Sequence, residues 1–195
     1  MPRKRISTKS RIVKAAWNLF YKKGYEQTTV EDIINASRTS KGTFYHYFKG
    51  KESLLNSLSY LFDEKYEELS ASIDPDMSAY DKLLHLNHEL FYMIETSVDI
   101  SLLAFLYSSQ LVTKDKKSLA DSKRFYFKWI TEILEDGLKS GEFKNTSTAK
   151  ELMKIYAMYE RAILYDWALY RGKYSLCEYS DRLLPHVLDT FVNGI

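Results

Sequence analysis

The stretch that decides the fold runs from Thr28 to Leu54 and reads TTVEDIINASRTSKGTFYHYFKGKESL. It holds two short apolar periods separated by a polar turn. Thr28 and Thr29 each stand three residues before an acidic residue, Glu31 and Asp32. Either pair can form a capping box for a helix that turns Val30, Ile33 and Ile34 inward. Residues 37–40, Ser-Arg-Thr-Ser, then make a four-residue turn. Ser40 can cap a second short helix, Lys41 to Phe48, whose Phe44 and Phe48 share a face at i, i+4 and read as core.

A longer helix precedes this pair. It should begin near Ser7, place Ile12, Ala16, Leu19 and Phe20 on one stripe, and stop at Gly24 behind Lys22 and Lys23. A long helix followed by two short ones across a tight turn is the arrangement of a helix-turn-helix, which sets its last helix into the DNA major groove.

The rest of the chain also reads with a helical period. From about Lys51, Leu54, Leu58, Leu61, Phe62, Tyr66 and Leu69 hold one stripe for about four turns, and Pro75 lies beyond it. Ser78 and Asp81 cap the next helix, with Leu83, Leu86, Leu90 and Ile94 inward. Residues 98–112 are apolar almost all round, and 113–118 form a polar loop. A further helix carries Tyr126, Trp129, Ile130, Ile133 and Leu134 and ends at Gly141. Another fills roughly 147–171 and stops at Gly172, and Ser175 with Glu178 caps the last. The expectation is an all-α fold of about nine helices without strands. An N-terminal three-helix helix-turn-helix domain takes residues 1–55, and a C-terminal helical bundle takes residues 56–195.

Charge follows the same division. Over the 195 residues the net charge is only +2, but residues 1–55 carry a net +8 and the remainder −6. The basic head suits a polyanion, the acidic body does not. With 45% hydrophobic and 28% charged residues the chain reads as globular. Seven Gly and three Pro are too few for the many turns of an all-β fold. A lone cysteine, Cys177, permits no intrachain disulfide and fits an intracellular setting. No apolar h-region follows the basic start, and no uncharged apolar run is long enough to span a bilayer, so no membrane partner is expected. No glycine-rich phosphate loop, G-x-S-x-G or H-E-x-x-H occurs, and no cofactor is implied; His85 and His88, at i, i+3 with Glu89 beside them, have a spacing that could hold a metal, but nothing else supports one and they read as surface histidines.

In the head, Gly42 lets the start of the second short helix approach a duplex closely, and Ser40 stands at its cap. Thr43 offers a hydroxyl and a methyl to base edges, and Lys41 reaches guanine or phosphate. Tyr45, His46 and Tyr47 project further along as phosphate donors. Lys51 opens the next helix, where side-chain charge and helix N-terminus favour an anion together. The segment PRKRISTKSR at residues 2–11 adds charge for backbone contacts.

The string S-K-G-T-F-Y-H-Y-F-K-G-K-E-S-L at residues 40–54, preceded by T-T-V-E-D-I at 28–33, resembles the DNA-binding domain of the TetR/AcrR family of bacterial repressors. The run Leu134, Gly137, Gly141, Glu142, Phe143 is also common in that family. The resemblance implies a cytoplasmic homodimer, operator DNA as partner, an unidentified small-molecule effector held in the body, and no catalysis. It places DNA contacts at Thr29, Lys41, Gly42, Thr43, Tyr45, His46 and Lys51. The turn departs from the family's Ala-Gly-Val: Ser37, Arg38 and Thr39 stand there, so Arg38 takes a glycine's position. A left-handed conformation costs a non-glycine residue about 1 kcal/mol, which a phosphate contact by Arg38 can offset.

In the body, the helix from Ile155 to Tyr170 is apolar on nearly all sides and must be covered twice, once by its own core and once by a second subunit. With the last helix it can build a four-helix bundle across a two-fold axis. The expected interface is Met158, Ala162, Tyr165 and Leu169 with Leu184, Val187, Leu188 and Phe191. The expected effector site is Phe91, Ile94, Phe105, Tyr126, Trp129, Tyr156, Tyr159, Glu160, Ile163 and Trp167, an aromatic lining for a lipophilic or flat ligand. Glu160 in that apolar helix calls for a basic partner or a cationic ligand. The main functional expectation is a ligand-responsive dimeric repressor. The alternatives are a DNA-binding regulator without a small-molecule pocket, and an all-α enzyme acting on a lipophilic substrate.

Overall fold

The structure, a computed structural model, describes residues 7–55, 57–112, 118–144 and 146–194. The basic segment ahead of Ser7 and most of the expected loop at 113–118 lie outside the described residues. Ten α-helices and one short 3₁₀ turn, Ser118–Ala120, account for the regular structure among them: α1 Thr8–Lys23, α2 Val30–Ser37, α3 Lys41–Tyr47, α4 Glu52–Leu55, α5 Leu58–Ser70, α6 Ala79–Ser97, α7 Ile100–Val112, α8 Phe125–Ser140, α9 Ala149–Leu169 and α10 Leu176–Asn193. The chain is all-α, as its periodicity indicates.

The caps show why the helices start where they do. Ser7, Ser40 and Ser175 each accept a hydrogen bond from a first-turn N–H. Of the two possible boxes before α2, Thr29 with Asp32 forms: Asp32 N–H donates to the threonine hydroxyl, and Thr29 N–H donates back to the carboxylate. Thr28 is buried instead, its hydroxyl donating to the Gly24 carbonyl at 2.8 Å. The expected four-turn helix after Lys51 is broken into α4 and α5. The Ser57 hydroxyl donates to the Leu54 carbonyl and accepts from Trp17 Nε1 at 3.3 Å, competing with helix continuation there.

Two compact units result. One is Met1–Leu61 with Ser97–Leu119, the other Phe62–Thr96 with Ala120–Ile195. In the first, α1 packs on α2, α2 on α3, and α4 against α7. Ile12, Ala16, Phe20, Ile33, Phe44, Phe48 and Leu54 fill its core. In the second, α9 is flanked by α8 and α10. Leu83, Leu86, Phe91, Ile130, Leu134, Tyr156, Leu184, Leu188 and Phe191 are buried there.

Carboxylates lock helix ends in the second unit. Glu142 accepts from Ala79 N–H at 2.9 Å and Tyr80 N–H at 2.8 Å, capping α6. Glu95 does the same for α10 through Leu176 and Cys177 N–H, both 3.1 Å. Asp63 takes both Arg124 Nε and Nη2, at 2.9 and 3.0 Å. The run Leu134 to Phe143 explains itself in this setting. A Cβ on Gly137 would overlap the Phe143 ring and sit 2.9 Å from Ala79 Cβ, Gly141 takes φ +80° to end α8, and Phe143 lies edge-on to Phe191.

Candidate functional site

Helix α3 presents one face to the core and the other outward. Phe44 and Phe48 are buried and anchor it. Ser40, Lys41, Gly42, Tyr45, His46 and Tyr47 are exposed, and Thr43 is half-buried with its hydroxyl 2.8 Å from Ser40 Oγ. Lys41 Nζ is 3.8 Å from Glu31 Oε1, with both side chains about two-thirds exposed, a contact of little energy that leaves the ammonium available. A Cβ added to Gly42 would meet only Ser40 Oγ, at 4.0 Å, so nothing within the fold requires a glycine there. Thr29 is exposed, its hydroxyl bound to Asp32 at 2.6 Å.

Arg38 adopts φ 51°, ψ 48°, the left-handed conformation that glycine would favour. The Thr39 N–H reaches the Ile34 carbonyl at 3.1 Å, and the Ser37 hydroxyl donates to the same carbonyl at 3.2 Å. The turn therefore keeps the glycine-type geometry despite the substitution, with the Arg38 side chain exposed.

Lys51 behaves differently from its expected role. Its Nζ donates to the Tyr25 carbonyl at 2.8 Å and lies 4.2 Å from the Tyr25 ring centroid. The carbonyl and the ring face turn the ammonium into the fold, where it ties the start of α4 to the loop after α1.

Most of the ten expected effector residues lie in the second unit, and Phe105 is the exception. It sits on α7 in the first unit, half-exposed and stacked on Tyr25 at 6.3 Å. Phe91, Ile94, Tyr126, Tyr156, Glu160, Ile163 and Trp167 are buried, and Trp129 and Tyr159 are half-buried. Trp167 Nε1 donates to the Tyr174 carbonyl at 2.9 Å, and the Tyr159 hydroxyl lies 3.0 Å from Ser180 Oγ. Both are committed to the packing of α9 against the segment that follows it.

Glu160 is the centre of the remaining group. The Tyr126 hydroxyl donates to Oε2 at 2.7 Å, and Asn87 Nδ2 and the Tyr66 hydroxyl donate to Oε1 at 3.1 and 3.3 Å. The Ser180 hydroxyl donates to Asn87 Oδ1, extending the network to α10. No basic partner is found: among the described residues no lysine, arginine or histidine forms an ion pair with Glu160. Burial pushes the carboxyl above its ordinary pKa, opposed by the hydrogen bonds from Tyr126 and Asn87. Burial and then the Glu160 charge push the Tyr66 and Tyr126 hydroxyls well up, so both phenols keep their protons. Sequence reading singled out Glu160 and Tyr126 but not Tyr66, Asn87 or Ser180, which lie 94, 73 and 20 positions away along the chain.

The expected interface residues divide into two sets. Met158, Ala162, Tyr165 and Leu169 are exposed along one face of α9, with Met158 at 61% and Leu169 at 63%, and Ile155 continues the row. Leu184, Leu188 and Phe191 are 0–1% exposed inside their own subunit and have no surface to offer a partner. Val187 is half-buried. The apolar stripe of α10 thus serves the core.

Two side groups are spoken for. His88 Nδ1 lies 2.9 Å from Asp181, and the Cys177 thiol is buried, its pKa raised to about 12 by burial and by Glu95, which keeps it protonated and unreactive. Among the described residues no single helix is long and apolar enough to cross a membrane.

Residues 12–58 match the bacterial regulatory proteins of the tetR family, and residues 60–190 match the C-terminal region of the YsiA-like proteins. The chain belongs to the TetR family. Members of this family are DNA-binding transcriptional regulators and not enzymes, which removes the all-α enzyme from consideration. A fatty acid metabolism regulator protein of Bacillus subtilis is 26% identical over 191 residues, 94% of this chain and 93% of its own length. The regulator YhgD of the same organism is 25% identical over 169 residues, 83% of this chain and 85% of its own. The crystal structure of FadR from Bacillus subtilis in complex with stearoyl-CoA superposes with a TM-score of 0.67 at 24% identity, over 95% of this chain and 98% of that one. FadR from Thermus thermophilus in complex with lauroyl-CoA gives 0.66 at 24% identity, over 92% and 93%. At this identity the likeness to the solved structures speaks for the TetR fold.

Proposed function

We propose that this TetR-family regulator is a cytoplasmic homodimeric repressor that holds a pseudo-palindromic operator and releases it when a small lipophilic or aromatic effector enters the body. The observation that carries the reading is the outward face of α3. Lys41, Tyr45, His46 and Tyr47 stand exposed beside a glycine that the fold itself does not need. Their roles follow from chemistry: Lys41 and Thr43 toward base edges, Tyr45, His46 and Tyr47 toward phosphate, Arg38 toward backbone from the turn, and Thr29 and Ser40 at the two helix starts. Lys51 acts by tying α4 to Tyr25.

The exposed row Ile155, Met158, Ala162, Tyr165 and Leu169 supports a two-fold partner packed on α9. Two copies would set two recognition helices on successive major grooves, about 34–36 Å apart. The aromatic body and the relatives bound to stearoyl-CoA and lauroyl-CoA support a lipophilic effector. An effector that prefers a dimer with a different spacing of its heads lowers operator affinity by that preference alone. The test is a mobility shift on DNA from the chain's own promoter region with and without lauroyl-CoA. Lys41→Ala with Tyr45→Ala should abolish the shift, and unchanged binding by that double variant would refute the DNA assignment.

A further inference from the structure

The first turn of α2 holds two carboxylates with different fates. Asp32 is spent inside the head. It accepts from the Thr29 N–H at 2.8 Å, from the Thr29 hydroxyl at 2.6 Å and from the Lys23 ammonium at 2.6 Å. That closes the capping box without help from Glu31. Glu31 instead reaches across the turn to the recognition helix, where its Oε1 lies 3.8 Å from Lys41 Nζ. The two side chains are 67% and 70% exposed, and a pair so exposed contributes little to folding.

A carboxylate is out of place here on charge alone. It stands in a head of net +8, at the edge of the face that meets a polyanion, and every phosphate of a duplex would repel it. In the major groove two groups can donate to it, the N4 amino group of cytosine and the N6 amino group of adenine. Its neighbour decides between them. A lysine ammonium is best matched by guanine, whose O6 and N7 are adjacent acceptors. On a G·C pair the cytosine amino group is hydrogen-bonded to guanine O6, at about 2.9 Å. That edge shows two acceptors and then a donor, a negative region beside a positive one. Lys41 and Glu31 present the opposite charges at a similar spacing of 3.8 Å. An A·T pair shows a donor between two separated acceptors, with the thymine methyl beyond, and offers an ammonium only one acceptor at a time. Gly42, next to Lys41, carries no side chain to hold the pair off the edge.

We infer that Glu31 and Lys41 together read one G·C base pair in each operator half-site. Lys41 donates to guanine O6 and N7, and the cytosine amino group donates to the Glu31 carboxylate. This deepens the reading of α3 as the recognition helix and rests on it.

The test lets the full-length protein select sites from a randomised duplex library. Affinity is then measured by fluorescence anisotropy on the selected site and on versions with each G·C pair in turn replaced by A·T. In wild type, one such replacement per half-site should cost at least about tenfold. Glu31→Gln, which keeps the size but removes the charge, should erase most of that penalty at that pair alone and bind unrelated duplex more tightly. Unchanged penalties at every position in Glu31→Gln would overturn the inference. So would a uniform loss of affinity on all duplexes, which is what a carboxylate that merely supports the start of α2 would give. If Lys41→Ala weakens binding while Glu31→Gln keeps every preference, the base assignment falls and the reading of α3 stands. If Lys41→Ala with Tyr45→Ala binds the selected site as wild type does, the reading of α3 fails and takes this inference with it.

Discussion

Replacing Gly42 by alanine should separate folding from DNA binding in one step. Gly42 lies in the first turn of α3 and its backbone is outside the positive-φ region. The added methyl has open space apart from Ser40 Oγ at 4.0 Å. Within the protein, then, the change carries no clash and lowers the entropy of the unfolded chain. Glycine to alanine at a compatible site contributes about 0.4–1 kcal/mol, or roughly 1–4 °C in Tm for a chain of this size. At the operator the methyl projects from the outward face of α3, where a duplex would have to approach the backbone closely. Pushing the helix back loosens neighbouring contacts such as Lys41 and Thr43, each worth about 1–3 kcal/mol when well formed. A loss of at least about tenfold in affinity is therefore expected, about 1.4 kcal/mol. Differential scanning calorimetry and fluorescence anisotropy on promoter DNA read the two effects. A variant that melts higher yet binds operator unchanged would refute the close approach, and one that melts lower would refute the steric reasoning.

Gly137→Ala should destabilise the second unit by about 1–3 kcal/mol, because its methyl overlaps the buried Phe143 ring; urea unfolding measures it. Leu169→Glu, at a position 63% exposed on α9, should leave the fold intact but dissociate the dimer in light scattering and weaken operator binding with it. pH should act in two directions. Hydrogen bonds from the Thr148 backbone and side chain lower the Glu151 pKa, and Lys65 lowers that of Glu89, so their stability is present above the ordinary carboxylate range and lost as pH falls through it. Burial raises the Glu160 pKa, so its ionisation costs stability as pH rises beyond the ordinary carboxylate range. Wild type should therefore lose ground to Glu160→Gln between acid and neutral pH in melting experiments, and a constant difference would contradict the burial of an unpaired charge.

Local chemistry was legible in the sequence, and long-range chemistry was not. Ser7, Ser40 and Ser175 announce helix starts because a cap is decided within three residues. The pair of phenylalanines at 44 and 48 marks the inner face of α3 for the same reason. The break before α5 depends on Trp17 reaching Ser57, forty positions away, which no local pattern carries. Lys51 read as a phosphate ligand because Tyr25, the group that captures it, is twenty-six positions earlier. Leu184, Leu188 and Phe191 form an apolar stripe that serves a core or an interface equally well in sequence, and only their burial decides. Glu160 stood out as a charge in an apolar helix. That its partners would be two phenols and an amide rather than a base depends on four helices meeting.

The outward face of α3 is proposed to read DNA. The most direct measurement is the operator affinity of the full-length chain on its own promoter region, titrated against salt, beside Lys41→Ala with Tyr45→Ala. Tight binding is expected, its logarithm falling steeply and linearly with the logarithm of salt, with a shallower slope and a large loss of affinity in the variant. Equal affinity and equal slope in the two proteins would contradict it.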